Sequence, residues 1–185
     1  MIKDIISSRE EKMQKTLEAL KRDFASLRAG RATPALLDKV SVDYYGTPTP
    51  VSQVAKIAVP EPRMIVIQPW EKPMLKEIEK ALMKSDLGLT PNSDGTAIRL
   101  TIPQLTQERR EELKKSINKK AEEAKVALRN LRRDANDAIK KLEKSKEATE
   151  DESKKAQDDM QKMVDKYVKL VDAAKAGKEK EIMEV

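Results

Sequence analysis

Long stretches of this sequence repeat apolar residues at gaps of three and four, both at its beginning and through its final part. This spacing keeps the apolar side chains on one side of an α-helix, so each stretch predicts an amphipathic helix. The first stripe ends before Gly30, a typical helix terminator, and consists of Ile2, Ile6, Met13, Leu17, Leu20, Phe24 and Leu27.

Two further stripes follow residue 105. Thr106 is a good N-cap for the first, and the stretch from Thr149 to Glu152 forms a capping box before the second. The first consists of Leu113, Ile117, Ala124, Leu128, Leu131, Ala135, Ile139 and Leu142. The second consists of Ala156, Met160, Met163, Tyr167, Leu170 and Ala174. Three helices with such narrow apolar faces predict an antiparallel, up-down-up bundle.

The periodicity changes between the first and second helices. Alternating or β-rich runs predict strands at 40–44, 54–59, 64–67 and 98–102. Turn residues at 46–50 and 91–95 separate them, and one short helix is expected from Pro73 to about Gly88. The fold class is therefore α+β: a long three-helix bundle, residues 1–30 and 105–185, with an inserted small β/α/β domain, residues 31–104.

Two short connections join the predicted domains. Both carry proline, and hinges concentrate at the ends of elements. We expect a hinge there, with a rigid joint as the alternative, and its residues are Arg31, Ala32, Thr33, Pro34, Pro103, Gln104 and Leu105.

The composition argues against an enzyme. The chain has no His and no Cys, so the usual nucleophilic triads and zinc ligand sets are impossible. None of its glycines builds a nucleotide-binding loop. We expect no catalytic residues, metal or cofactor, and a carboxylate-only hydrolase is the weaker alternative. Without a signal peptide or an apolar run long enough for a membrane span, the sequence predicts a cytoplasmic protein with no membrane partner.

The positive charge is concentrated in the helical part. Residues 31–104 hold 9 basic and 8 acidic residues, which leaves 29 and 24 for the rest of a chain of net charge +6. On a helical wheel, one sector away from the apolar seam of the second helix collects basic and amide side chains. Its members are Lys125, Arg129, Arg132, Arg133, Asn136 and Lys140. We call this set the basic stripe.

The basic stripe has two interpretations. A charged helix face is usually solvated, and a bundle of this kind can also be an interaction module for another protein's helix. Arginine in place of the lysine that dominates this chain favours phosphate binding. Arg28 and Arg31, at the end of the first helix, would extend the surface if the bundle brings those ends together. Aromatic residues make up 3% of the chain, so contacts to the phosphate backbone are expected rather than base stacking. Trp70 is expected to be packed within the small domain.

Several strings in order along nearly the whole chain resemble the bacterial ribosome recycling factor family. They are LRAGRATP from Leu27, YYGTPTP from Tyr44, KSDLGLTPN from Lys84, GTAIR from Gly95, LTQERR from Leu105 and VALRNLRRDAN from Val126. The resemblance implies a three-helix bundle with an inserted β/α/β domain. It also implies a monomer that acts with elongation factor G and GTP to split the post-termination ribosome, releasing messenger RNA and transfer RNA.

The resemblance further implies how the two domains work. The bundle would lie on ribosomal RNA of the large subunit while the small domain moves about the hinge. Carried over to this sequence, Arg132 is the first candidate for the RNA contact, supported by Arg129, Arg133, Arg28 and Arg31. Elongation factor G would meet the small domain and the hinge region.

Overall fold

The computed structural model describes residues 1–27 and 30–184. Contacts between Cα atoms divide these residues into two compact units. We call residues 1–27 with Gln107–Glu184 the helical unit, and residues 30–106 the small unit, which interrupts the helical unit in sequence.

The helical unit consists of three long helices. They are α1 (Ile2–Ser26), α4 (Gln107–Lys144) and α5 (Glu150–Met183), numbered among five helices in chain order. Contacts between them give their directions. Lys125 pairs with Asp172 and Lys175 donates to Asn118, so α5 runs back along α4. Glu10 approaches Lys166, and the carbonyl of Leu27 accepts from Lys178, so α1 runs in the same direction as α5. The up-down-up prediction is confirmed.

The cores of α1 and α4 largely follow the predicted stripes. Leu131 is half-buried, and the buried apolar residues of the two helices are Met13, Leu17, Leu20, Phe24, Leu113, Ile117, Ala121, Ala124, Leu128, Ala135 and Ile139. In α5 the predicted seam is partly wrong. Val164 and Val171 are buried, whereas Met163 is half-buried and Leu170 is exposed. Met163 and Leu170 each directly precede one of these valines in sequence, and on the helical wheel they lie at the edge of the packed face.

The helix ends follow from local chemistry. Thr149 accepts the backbone N–H of Glu152 at 3.1 Å, as the predicted N-cap requires. At the other end of the α4–α5 connection, Lys146 adopts a left-handed conformation with φ of 63°. The following N–H groups of Glu147 and Ala148 both donate to the carbonyl of Leu142. This backbone arrangement closes α4 in the manner of a C-cap glycine, although no glycine is present.

The small unit contains two antiparallel sheets. Strands β1 (Ser41–Tyr44) and β2 (Thr47–Pro50) form a hairpin. Strands β3 (Ala55–Glu61), β4 (Met64–Pro69), β5 (Asn92–Ser93) and β6 (Ile98–Thr101) form a four-stranded sheet in the order β3-β4-β6-β5. A 3-10 helix (Pro34–Leu37), the single-turn α2 (Val51–Val54) and α3 (Met74–Lys84) complete the unit.

The small unit has a core of its own. Its fully buried side chains include Val42, Val51, Ile65, Ile67, Ile78, Ile98 and Leu100. Two segments predicted as turns are strands instead. Thr47–Pro50 pairs with β1 alone, so its two prolines need no ladder partner on the other side. Asn92–Ser93 pairs only with β6 at the edge of the sheet. The short helix ends at Lys84, before the predicted Gly88.

Candidate nucleic-acid interface

Two arginines of the basic stripe lie exposed on α4. Arg129 and Arg133 are one helical turn apart, so their side chains emerge on the same side of the helix. Within the part of the chain that the structure describes, no carboxylate pairs with either guanidinium. Val126, three residues before Arg129 and seven before Arg133, adds an apolar side chain that is 51% exposed. This face therefore presents two uncompensated positive charges beside apolar surface.

Arg132 differs from its neighbours because it contacts α5. It is half-buried, and its Nη1 donates to Oε1 of Gln161 at 2.8 Å. Nε2 of Gln161 in turn donates to Oδ1 of Asp165 at 3.0 Å. The second bond orients the amide so that its oxygen faces the guanidinium. Because that direct partner is a neutral amide, the guanidinium is held in place while its charge and its other N–H donors remain available.

Lys125 is not a free member of the basic stripe. Its side chain is only 13% exposed and pairs with Asp172 of α5 and with Glu122, 3.5 Å away on α4. The hydrogen bond to Asp172 raises the pKa of Lys125, against the opposing effect of burial. The expectation that the stripe lies well away from the helix seam is therefore wrong at this end, where the cation is neutralised across the α4–α5 contact.

The structure does not test the other two candidate arginines as part of this face. Arg28 lies outside the described residues. Arg31 is exposed, but it belongs to the small unit and not to the helical unit.

The predicted hinge residues lie at both ends of the small unit. Ala32 is buried, and its N–H donates to the carbonyl of Pro62 at 2.7 Å. Thr33 precedes the 3-10 helix, which begins at Pro34. On the other side, the N–H of Ile102 donates to the carbonyl of Arg63 at 2.7 Å. Between this bond and α4 lie Pro103 and Gln104, both exposed, and the half-buried Leu105.

Trp70 is not packed, contrary to the expectation from sequence. It lies at the end of β4, with 68% of its surface exposed, although its backbone N–H is fixed by the carbonyl of Val54. Beside it, the hydroxyl groups of Tyr44 and Tyr45 donate to the two carboxylate oxygens of Glu71 at 2.8 and 2.7 Å. Sequence reasoning missed this group because only the fold brings β1, β4 and the start of α3 together.

Gln161 was also missed, because an exposed glutamine on a polar helix face has no sequence signal of its own. Among the described residues, no group of three or more carboxylates has the arrangement of a metal site. Nor, in the same ranges, is any helix sufficiently long and apolar to cross a membrane.

Comparisons with known proteins converge on one family. The family model described as "Ribosome recycling factor" matches residues 20–183. The ribosome-recycling factor of Syntrophomonas wolfei is 60% identical over 185 residues, and that of Clostridium perfringens is 56% identical, each covering 100% of both chains.

Two solved structures are similar as well. A solution structure of the ribosome recycling factor has a TM-score of 0.77 and 42% identity, covering 100% of this chain and 98% of its own. The second is described as models for the T. thermophilus ribosome recycling factor and E. coli elongation factor G bound to the E. coli post-termination complex. It has a TM-score of 0.63 and 44% identity, covering 98% of each chain.

Proposed function

The chain belongs to the ribosome recycling factor family, and we propose that its helical unit binds ribosomal RNA of the large subunit through Arg129, Arg132 and Arg133. In this function it acts as a monomer in the cytoplasm on the post-termination ribosome. With elongation factor G and GTP it splits the ribosome into subunits, and messenger RNA and transfer RNA are released.

The proposed RNA contact rests on the pairing partners of these three guanidinium groups. Two have no carboxylate partner among the described residues, and the third is bound by a neutral amide. A basic side chain that is already paired with a carboxylate must break that ion pair before it binds a phosphate. Lys125, for example, would have to break its ion pair with Asp172. The three arginines need no such exchange. Each guanidinium also offers several N–H donors in a plane that matches phosphate oxygens.

The surface favours the RNA backbone over base recognition. On the exposed face of α4 the apolar neighbour of the arginines is Val126, an aliphatic residue that offers no stacking platform. Binding through charge alone releases counterions from the RNA, so the affinity should fall steeply with salt.

The two units have different roles in this proposal. The helical unit is the anchor, and the small unit moves about the connections at 31–34 and 103–105. The backbone bonds from Ala32 to Pro62 and from Ile102 to Arg63 lie within the small unit and hold both connections to its β3–β4 turn. They support a hinge that spans fewer residues than predicted, with bending before Ala32 at one connection and after Ile102 at the other.

The chain itself performs no catalysis in this proposal. Without His or Cys it lacks the usual nucleophiles and bases of hydrolases. The energy for splitting comes from GTP hydrolysis by elongation factor G. The contribution of the chain is mechanical, through an anchored helical unit and a small unit that elongation factor G contacts and moves.

The test compares arginine variants for binding to isolated large subunits over a series of salt concentrations. Arg129→Ala, Arg132→Ala and Arg133→Ala should each weaken binding and reduce the slope of log affinity against log salt by about 0.7–0.9, the value for one phosphate contact. Arg109→Ala is the matched control, because Arg109 lies on the same helix and pairs with Glu112 at 3.0 Å.

The same variants are then assayed for splitting of post-termination ribosomes with elongation factor G and GTP. Loss of splitting in step with loss of binding supports the anchor role. Unchanged affinity and unchanged slope in all three variants would contradict it.

A further inference from the structure

The small unit carries a cavity of about 360 Å³ that the proposed function does not use. Its lining includes Tyr44, Thr49, Gln53, Trp70, Glu71 and Met74, and Glu71 is the only charged residue among the described residues that line it. The volume is at the small end of the roughly 300–1,000 Å³ typical of ligand sites. It fits a single long side chain or a small molecule better than an extended chain.

Aromatic rings surround the single carboxylate. Trp70 and Tyr45 are 68% and 69% exposed, and the rings of Tyr44 and Tyr45 meet edge to face with centroids 4.8 Å apart. Tyr45 does not line the cavity but supports Glu71 from the other carboxylate oxygen. Three of the five aromatic residues in the chain thus cluster beside one carboxylate. The faces of aromatic rings carry partial negative charge, so rings and carboxylate together favour a cation.

The carboxylate is fixed and ionised. Each of its oxygens accepts one tyrosine hydroxyl, and these two bonds, from Tyr45 first and then Tyr44, lower the pKa of Glu71. An ionised carboxylate has about four lone-pair sites, so two remain for other donors. The backbone supports the same geometry. Tyr45 is held at a φ of 49°, and the N–H of Gly46 donates to Oδ1 of Asp43 at 2.7 Å.

We propose that this cavity binds the side chain of an arginine or lysine presented by a basic protein segment. The cationic head would donate to the free lone pairs of Glu71 while its plane or alkyl stem lies against Trp70. Arginine is the better occupant, because a planar guanidinium stacks on an indole and also forms paired hydrogen bonds with a carboxylate. Nucleic acid is disfavoured, because Glu71 would repel the phosphate groups.

The chain offers a direct readout of this site, because Trp70 is its only tryptophan. Its intrinsic fluorescence is titrated with a short peptide that contains one arginine among glycines. A matched peptide carries citrulline, which has nearly the same shape without the charge. We expect a saturable change with the arginine peptide, with a dissociation constant on the order of millimolar for so small a ligand, and a much weaker change with citrulline.

The variants test the carboxylate itself. Glu71→Gln should lower the affinity for the arginine peptide about tenfold, which is the equivalent of one lost charge-assisted hydrogen bond. Tyr45→Phe should have a smaller effect, because the hydroxyl of Tyr44 still orients Glu71. Amide resonances in two-dimensional NMR spectra show whether each variant keeps the fold. In the wild type they also show whether the shifts caused by the peptide cluster around Tyr44, Glu71 and Met74.

Three outcomes would overturn the proposal. They are equal responses to arginine and citrulline, an unchanged affinity in Glu71→Gln with an intact fold, and tighter binding of a single-stranded uridine oligonucleotide to the same residues. The proposal goes beyond the RNA-binding function and is measured on the free chain without ribosomes. If this cavity does not bind a cation, the proposed arginine contacts of the helical unit are unaffected. If those arginine contacts are wrong, the proposed cation site is likewise unaffected.

Discussion

Arg132 on α4 is bound by Gln161 on α5, with 2.8 Å between Nη1 of the arginine and Oε1 of the amide. The contact crosses the packed edge of two long helices, and Asp165 holds the amide from its other end. A carboxylate at position 161 would have held the arginine as well, but it would also have neutralised it. The neutral amide orients Arg132 and leaves its charge available for an external anion.

Gln161 variants should therefore change RNA binding in two distinguishable ways. Gln161→Leu should weaken large-subunit binding by roughly fivefold, because Arg132 must be ordered on binding, while the salt slope stays the same. Gln161→Glu should keep Arg132 in place but reduce the slope by about 0.7–0.9, since the new carboxylate competes with phosphate.

The matched control is Gln157→Leu, one turn earlier on α5, which removes a hydrogen bond to Ser153 and leaves the contact with Arg132 intact. Binding and slope should be unchanged in this variant. If Gln161→Leu bound the large subunit as tightly as the wild type, Gln161 would have no orienting role, and if Gln161→Glu retained the slope of the wild type, the neutrality of residue 161 would not matter for the RNA contact.

The sequence predicted the three helices because the apolar spacing of a helix depends only on its local period. The expectation that the whole basic stripe lies away from the apolar seam was wrong for Arg132, which is half-buried. At about 100° per residue, Arg132 lies only about 20° from the buried Ile139, so it is at the edge of the seam and not on the open face. Whether such an edge residue is paired depends on what the next helix presents there. For Lys125 it is Asp172, and for Arg132 it is Gln161.

In the small unit, prediction failed where pairing is non-local. The prolines of Thr47–Pro50 indicated a turn, yet this segment is an edge strand in which they are tolerated. Trp70 was expected to be packed because large aromatic side chains usually are. Its exposure follows from its place at the end of β4, beside a carboxylate that two tyrosines from β1 and the turn after it already hold. No local pattern contains that arrangement.

Asp94 should make the stability of the small unit depend on pH. The N–H groups of Thr96 and Ala97 and the hydroxyl of Thr96 donate to Oδ1 of Asp94, which lowers its pKa from 3.8 to about 2. A lowered pKa in the folded state stabilises the fold above the unfolded-state pKa, and this contribution disappears as the pH falls through the folded-state value. Asp94→Asn should therefore lower the unfolding temperature at neutral pH, and the difference should shrink between about pH 4 and pH 2.

Thermal unfolding followed by Trp70 fluorescence reports on this unit. Asp86→Asn, an exposed carboxylate of the same unit, serves as the control and should show little change across the series. A difference between Asp94→Asn and the wild type that stays constant down to the lowest pH would argue against the proposed role of the carboxylate.

Lys178 should stabilise the end of α1. It is only 9% exposed, and its Nζ donates to the carbonyl of Leu27 at 3.2 Å and pairs with Glu181 at 3.3 Å. The last turn of α1 has no basic side chain of its own, so Lys178 supplies the positive charge that a helix C-terminus favours. Lys178→Met keeps the alkyl stem and should cost about 1–3 kcal/mol of unfolding free energy.

The measurement is denaturant unfolding followed by far-UV circular dichroism. Lys169→Met, an exposed lysine of the same helix, is the control for the substitution itself and should change stability little. Equal stabilities for the two variants would mean that Lys178 does not act as a cap. A reduced stability with normal ribosome binding would show that the cap serves folding rather than the RNA contact.

Lys146 should be a site where glycine stabilises the chain. It closes α4 at a φ of 63°, a conformation that costs a residue with a Cβ about 1–2 kcal/mol and costs glycine almost nothing. Its side chain is exposed, so no packing is lost on substitution. Because glycine is also more flexible in the unfolded chain, Lys146→Gly should raise the unfolding free energy by roughly 0.5–1 kcal/mol. Lys114→Gly, an exposed position inside α4, should instead lower it by about 1 kcal/mol. Chemical unfolding of both variants gives the two signs in one experiment, and destabilisation in both would mean that the left-handed turn is not the state that closes α4 in solution.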